Sequence, residues 1–488
     1  MNKKLMLLLS LLPLIVSCGS VTYADGCEKG KVESTFYEYK SQYVYGNAKA
    51  MKATGEGKVL IIPIWFSDSI DCISEGEKEG IRDNIRKAYI GTNEETGWRS
   101  VKTFYEEESW GALKLDAVVT DWYECGKSSA TMGSSNGRTN LCLKDAVAWY
   151  KETYNDDCKQ FDADGDGFID AVIMIYGYKN YANLKDTSKD NLWAYCYHTN
   201  NVANVDSPTP SSYFWASYDF MYDSDNGGYG WVRNCKIDTH TYIHEMGHIL
   251  GAEDYYDYAN IAVPAGGFSM QDYNVGGHDP FSRLGYGWVK PYVPTESCQV
   301  TIKPFEENGD LILLSPNYED SIFDEYLLLE LYTPTGVNEF DSVNRYENRY
   351  PKGPENPGFR IWHVDARLAW SDGGSLGAAN ITNKIEPGKT YMIAPTNTSY
   401  TTDEKYMGHM SIIPSLQHYY HLQLLRKDND GMLLEENDLW KTGDKFSIGS
   451  VKGQFYNGTK MNNGKKLGWE VEFVEVTAEG ATLKIAKK

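Results

Sequence analysis

The chain has 488 residues, enough for about two to four domains of roughly 150 residues each, which excludes a small disulfide-stapled peptide. Its 68 Asp and Glu outnumber 47 Lys and Arg, giving a net charge of −21, so neither nucleic acid nor anionic lipid headgroups are drawn to it by charge. With 41% hydrophobic and 14% aromatic residues, 37 of them Tyr, the composition is that of a folded protein and not a disordered one.

Asn2-Lys3-Lys4 is followed by an apolar run from Leu5 to Val16 that is broken only by Ser10 and Pro13. The run is too short to cross a bilayer as a mature helix and reads as a secretory signal over residues 1–17. Its end, Ile15-Val16-Ser17-Cys18, resembles the lipobox of bacterial lipoproteins, in which Cys18 carries the lipid and becomes the new N-terminus. An ordinary signal peptide cut a few residues later is the alternative. Both predict export; the lipobox adds a cell-surface or outer-face lipoprotein, bound to the membrane by the lipid alone, and release into the medium stays open.

Eight cysteines remain in the exported chain: Cys27, Cys72, Cys125, Cys142, Cys158, Cys196, Cys235 and Cys298. An even count in an exported protein permits disulfides, but spacing assigns no pairing. No C-x-x-C occurs, which disfavours a cysteine zinc cluster.

Residues 18–56 are polar and Tyr-rich and read as a tether or a short pro-segment. The run Val59-Leu-Ile-Ile-Pro-Ile-Trp-Phe predicts the first buried strand of an α/β domain. Ile81, Ile85 and Tyr89 fall on one stripe and predict an amphipathic helix over 77–89. A second helix is expected over 100–109 and a strand from Leu113; Phe168 to Tyr176 reads as one further buried strand. Alternation of helix and strand patterns continues to about Lys290. After Pro291 the pattern is short strands with turns, among them Trp469-Glu-Val-Glu-Phe turning at Glu479-Gly480 into Ala481-Thr-Leu-Lys-Ile. The boundaries are therefore an α/β domain over 57–290 and an all-β, sandwich-like domain over 291–488.

The stretch from Thr241 to Asp257 carries the chemistry. His244 and His248 are four apart, so on a helix both imidazoles leave one face and reach a single tetrahedral metal. Glu245 lies beside them, placed to accept a proton as general base. Gly251 lets the backbone leave the helix, and Asp254, three residues on, returns as a third ligand. Three protein ligands leave one position open, the arrangement of a catalytic and not a structural zinc. H-E-x-x-H alone arises by accident in roughly one such chain in a hundred, and the added Gly and Asp take that to about one in ten thousand. His240 reads as a satisfied polar residue one turn earlier.

H-E-x-x-H-x-x-G-x-x-D followed by Gly266-Gly-Phe-Ser-Met270-Gln-Asp resembles the metzincin clan, and most closely the immune inhibitor A family of bacterial secreted metallopeptidases. Looser similarities are Ser100-Val-Lys-Thr-Phe-Tyr, Asp162-Ala-Asp-Gly-Asp-Gly, Gly276-Gly-His-Asp-Pro, Gly358-Phe-Arg-Ile-Trp-His-Val-Asp and Gly443-Asp-Lys-Phe. The resemblance implies an α/β (α+β) metzincin-like zinc peptidase domain that cleaves protein or peptide substrates as a monomer, with Met270 in a methionine turn beneath Zn²⁺. Two features depart from the family. Fewer than forty residues separate the signal from the first strand, leaving only Cys27 or Asp25 to block zinc in a latent form. In some metzincins a Tyr two residues after the methionine acts at the metal, whereas Tyr273 here comes three after, as a candidate cleft residue.

Asp162, Asp164 and Asp166, with Gly167 and Asp170, place carboxylates around a glycine turn and suit Ca²⁺. Ile173 stands where an EF-hand has its closing Glu. Asp428-Asn-Asp-Gly is read as a plain turn. His278 is a candidate cleft residue that, with Asp279, can equally hold the turn; His363 and Asp365 read as fold residues. Two other functions share the motif: an inactive surface adhesion protein on the same scaffold, and a zinc hydrolase of a non-peptide amide.

Overall fold

An unbroken apolar run with β-branched residues belongs in a strand covered on both faces, and Val59 to Trp65 occupies such a position. The computed structural model describes residues 26–488 apart from 33, 43–48, 185–187, 189–190, 223–235, 346–350, 372–380, 387–388, 400–417, 428–432 and 452. The signal, Cys18, Asp25, Cys235 and the Asp428 turn lie outside the described residues.

The chain begins with β1 (Cys27–Lys29), α1 (Phe36–Gln42), β2 (Gly55–Trp65), α2 (Lys78–Ile90), α3 (Asn93–Thr96), α4 (Val101–Glu108), β3 (Leu113–Val119) and β4 (Tyr123–Glu124). It continues through α5 (Ser129–Met132), α6 (Asn136–Tyr154), β5 (Phe168–Ile169), β6 (Val172–Tyr176), α7 (Tyr181–Leu184), β7 (Tyr195–His198), β8 (Thr209–Pro210), β9 (Ser212–Ser217), α8 (His240–Ile249), α9 (Met270–Tyr273) and α10 (Pro280–Gly285). The order in the first sheet is β3-β2-β6-β9-β7, parallel except for β7, with β4 beside the end of β2. Leu60, Ile62 and Ile64 point to α6, while Val59 and Ile61 point to the layer that contains α2, α4 and α8. This is the period-2 consequence of a strand buried on both sides.

The single strand expected over 168–176 is two. Asp170 interrupts it: its amide donates to Phe161 and its carboxylate accepts from the Ala163 amide at 3.0 Å, so β5 turns away to pair with β8. The helices over 78–90 and 101–108 stand where helices were expected, and Ser100 and Thr103 close a capping box on α4.

From Tyr292 the elements are β10 (Tyr292–Pro294), β11 (Cys298–Ile302), α11 (Phe305–Asn308), β12 (Leu311–Leu314), β13 (Glu325–Tyr332), α12 (Val337–Val343), β14 (Gly358–Asp365), β15 (Leu368–Ser371), β16 (Ile381–Thr382), β17 (Thr390–Ile393), β18 (Leu422–Leu425), β19 (Lys445–Phe446), β20 (Trp469–Val476) and β21 (Ala481–Lys487). A six-stranded sheet, β1-β10-β12-β13-β14-β18, faces a four-stranded one, β11-β21-β20-β19. Leu327, Leu329, Phe359 and Ile361 meet Val471, Phe473 and Leu483 between them. The β20–β21 hairpin pairs as its alternation predicts. This part also contains the short helices α11 and α12, so it is strand-rich and not wholly β.

The other face of the six-stranded sheet was not legible from the pattern. Tyr326, Leu328, Trp362 and Val364 pack into the same core as α8 and α10, so every residue of β13 and β14 is buried and the layers on either side of residue 290 share a core. Its charged residues are paired within: Arg360 with Glu330 at 2.7 Å, His363 with Glu325 at 2.8 Å, and Asp365 with Arg367 at 2.7 Å.

The segment read as a tether or pro-segment is also part of the fold. Cys27 in β1 stands opposite Pro294, and the Met51 amide donates to the Ile249 carbonyl at the end of α8. Phe36 is 1% exposed and packs edge-on to Phe281 and Tyr286, a burial that contributes about 1.5–3 kcal/mol. Among the described residues no helix is long and apolar enough to cross a membrane.

Candidate metal centre

α8 is held by its apolar side, where Tyr242, Ile243, Met246 and Ile249 enter the central core and Tyr242 packs on Phe214 of β9. The opposite stripe carries His244 and His248, one helical turn apart. Each imidazole donates from Nδ1 to a backbone carbonyl, His244 to Met270 at 2.7 Å and His248 to Ala252 at 2.9 Å. That fixes the tautomer and leaves both Nε2 lone pairs free to converge. After α8 the chain turns at Gly251, whose φ of +109° and contact with Phe36, 2.7 Å from where a Cβ would stand, leave no room for another residue. The turn returns Asp254 to the two histidines. Its Oδ1 lies 3.0 Å from His244 Nε2 and 3.1 Å from His248 Nε2, and the two nitrogens are 3.1 Å apart.

This triangle tests whether the residues fit zinc. Tetrahedral ligands at the usual zinc distances stand about 3.3 Å from one another, close to the observed edges, and two imidazoles with one carboxylate are a zinc donor set. Burial lowers the pKa of His248, yet the Asp254 carboxylate outweighs it and raises the group to about 10, while Asp254 is held well below the usual range against its own burial. Without metal the triangle therefore holds a proton, which a metal must displace on binding.

Glu245 is 5% exposed, and its Oε2 is buried with no hydrogen-bond partner. Burial raises its pKa, opposed by His244 and His248. The Cys196 thiol on β7 donates to the Glu245 carbonyl at 3.0 Å and also meets its carboxylate. A buried carboxylate oxygen without a partner is costly in a folded protein and marks a group facing a ligand.

Spacing rules missed three contributors. The Tyr258 hydroxyl donates to Asp254 Oδ2, the oxygen turned away from the histidines, and Tyr256 lies over the His244 ring at 6.4 Å. Gln271 fills the space above Gly247, its Oε1 2.2 Å from where a Cβ would stand. The one available signal was the aromatic run Tyr255-Tyr-Asp-Tyr directly after Asp254. Tyr258→Phe is expected to weaken zinc affinity by about 10–100-fold, measured by competition with a chromogenic chelator. An unchanged affinity would mean that Asp254 needs no such orientation.

Met270 is fully buried and opens α9, and its carbonyl orients His244. Tyr273 is half-buried and packs beside Gly267. His240 is buried, stacked on Trp98 at 4.1 Å and bonded to Asp238 at 2.8 Å, a satisfied core histidine as expected. Cys27 lies in β1 near Cys298 and not at the triangle.

His278 is corrected from cleft to core. It is 0% exposed, and its amide and ring meet the Glu108 carboxylate at 3.1 and 3.3 Å. Asp279 caps α10, accepting from the Ser282 amide at 2.9 Å. Burial raises Glu108 from 4.5 to about 7, with Arg283 opposing. Its contribution to stability is full below pH 4.5 and is lost as pH rises through about 7. Glu108→Gln is expected to flatten the fall in urea midpoint between pH 5 and pH 8; an undiminished fall would place the titration elsewhere.

In the acidic loop, carboxylate oxygens of Asp162, Asp164 and Asp166 lie within 4.8 Å of one another. Asp162 accepts from the amides of Asp166 and Gly167 at 3.1 and 3.0 Å, which shapes the turn. Asp170, expected as a fourth ligand, is outside this group and is engaged with the Ala163 amide. The loop meets the N-terminal segment, where Tyr37 donates to Asp164 and Lys49 lies 3.6 Å from Asp166.

Comparison of the sequence with protein-family models and with curated proteins returns no match.

Proposed function

We propose that the protein is an exported zinc-dependent endopeptidase of metzincin type, similar to the immune inhibitor A family, with its strand-rich C-terminal part serving as a sandwich-like support. The observation that carries this is the triangle of His244, His248 and Asp254 beside Glu245, one of whose buried carboxylate oxygens has no hydrogen-bond partner. Zinc, when bound there, supplies the positive charge that acidifies water and polarises a peptide carbonyl. Glu245 takes the proton from the attacking water and gives it to the leaving amine, and its burial holds its pKa nearer to neutrality than a free carboxylate. Met270, Ala252 and Tyr258 keep the three donors in register.

A peptide substrate is the class that a buried general base beside a three-ligand metal site serves in a metzincin-type enzyme, and β7 lies close by, its Cys196 thiol donating to the Glu245 carbonyl at 3.0 Å. Cleavage of a mixed peptide library with product sequencing tests this. Internal cuts that cease with 1,10-phenanthroline are expected; hydrolysis of simple amides with intact peptides would reject an endopeptidase.

The loop of Asp162, Asp164 and Asp166 is proposed to bind Ca²⁺, and Cys18 to carry the lipid that holds the enzyme at the membrane face. EGTA is expected to lower the melting temperature by about 5 °C in the wild type and to leave Asp164→Ala unaffected. A melting temperature indifferent to EGTA would exclude a stabilising calcium.

A further inference from the structure

Four cysteines stand in two facing pairs. Cys27 opens β1, the edge of the six-stranded sheet, and Cys298 opens β11, the edge of the four-stranded sheet. The two edges meet at one corner: the Thr295 amide donates to the Gly26 carbonyl at 3.0 Å, and a Cβ on Gly26 would stand 3.4 Å from that of Cys298. Both side chains pack against the core between the sheets, and the two thiols are near enough to interact. Cys125 follows β4 at the edge of the first sheet, its amide donating to the Trp65 carbonyl at 3.1 Å. Cys142 lies on the buried side of α6, in the core between that helix and the sheet, and Cys125 packs against that same core with its thiol near enough to interact with that of Cys142.

We propose that Cys27 with Cys298, and Cys125 with Cys142, form two disulfide bonds in the exported protein, each fastening an edge strand to the element facing it. The pairs lie in the right places for such staples. β1 is three residues long, while β4 has two residues. A link at either site restrains an element whose own pairing is weak, and the first joins positions 271 residues apart in the chain. This inference rests on the geometry of the thiols and on export into an oxidising compartment, not on the peptidase reading.

The chemistry is thiol–disulfide exchange with a disulfide-bearing oxidant, such as oxidised glutathione or a thiol–disulfide oxidoreductase. Within each pair the cysteine that is deprotonated first is the attacking group. The thiolate attacks one sulfur of the oxidant and expels the other as a thiol. The partner cysteine then attacks the mixed disulfide and expels the remaining half. Two protein thiols lose two electrons and two protons, and the oxidant leaves as two thiols.

The test is peptide mapping of the full exported chain. The protein is equilibrated with oxidised glutathione, alkylated under denaturing conditions, digested without reduction and analysed by mass spectrometry. Linked peptides joining Cys27 to Cys298 and Cys125 to Cys142, absent after dithiothreitol, are expected. Alkylated or glutathione-capped forms of these four residues as the main species, or links from them to other cysteines, would overturn the proposal.

Discussion

Glu245→Gln is expected to retain zinc and lose hydrolysis. Gln keeps the size of Glu, so the α8 face that carries His244 and His248 is undisturbed, but the amide cannot accept and return a proton. The fall in kcat on casein should be about 10²–10⁴-fold, the usual contribution of a general base, with one zinc per chain still measured by metal analysis. His248→Ala should lose both, because it opens the triangle in which Nε2 stands 3.1 Å from Asp254 Oδ1. The contrast separates the proton-transfer group from the metal-holding groups. Full hydrolysis by Glu245→Gln would remove Glu245 from the mechanism.

The second large effect is on stability. Arg283 is completely buried and reaches Glu108 Oε1 at 2.6 Å and Glu306 Oε1 at 2.8 Å, joining α10 to α4 and α11 directly beneath the turn that follows α9. Asn338 of α12 continues the network, donating to Glu306 at 2.9 Å and accepting from the Gly277 amide at 2.8 Å. Arg283→Met leaves two carboxylates buried without a counter-charge and is expected to cost about 3–5 kcal/mol in urea unfolding at pH 7.5. Burial raises the pKa of both Glu108 and Glu306, so protonation relieves the repulsion and the loss should shrink on lowering the pH to 5. A variant as stable as the wild type, or a loss independent of pH, would show that the network does not hold these layers together.

What the sequence displayed and what it hid divide along physical lines. The H-E-x-x-H spacing, the stripe Ile81-Ile85-Tyr89 and the alternation in Trp469 to Phe473 are local, and the structure keeps each of them. Period and spacing act within one element, where neighbouring residues decide the outcome. The contacts that were not legible join distant parts of the chain. Cys27 pairs in register with Pro294, and the hydroxyl of Tyr37 reaches Asp164, neither of which leaves a trace in local pattern. Local pattern did not show that Glu325, Glu330 and Arg360 are buried in pairs, because the second helical layer that covers the sheet comes from elsewhere in the chain. Spacing left His278 open between lining a cleft and holding the turn, since its neighbour Glu108 lies 170 positions away. Tyr258 stood in plain view four residues after Asp254, but only the turn at Gly251 and beyond reveals that its hydroxyl meets the ligand's second oxygen.

His244, His248 and Asp254 are proposed to hold the zinc on which peptide hydrolysis depends. Zinc titration of the metal-stripped chain, with casein hydrolysis followed at each addition, tests it directly. Hydrolysis should be absent at the start, rise linearly and reach its plateau at one zinc per chain. Activity that survives stripping, or none at stoichiometric zinc, would contradict the account.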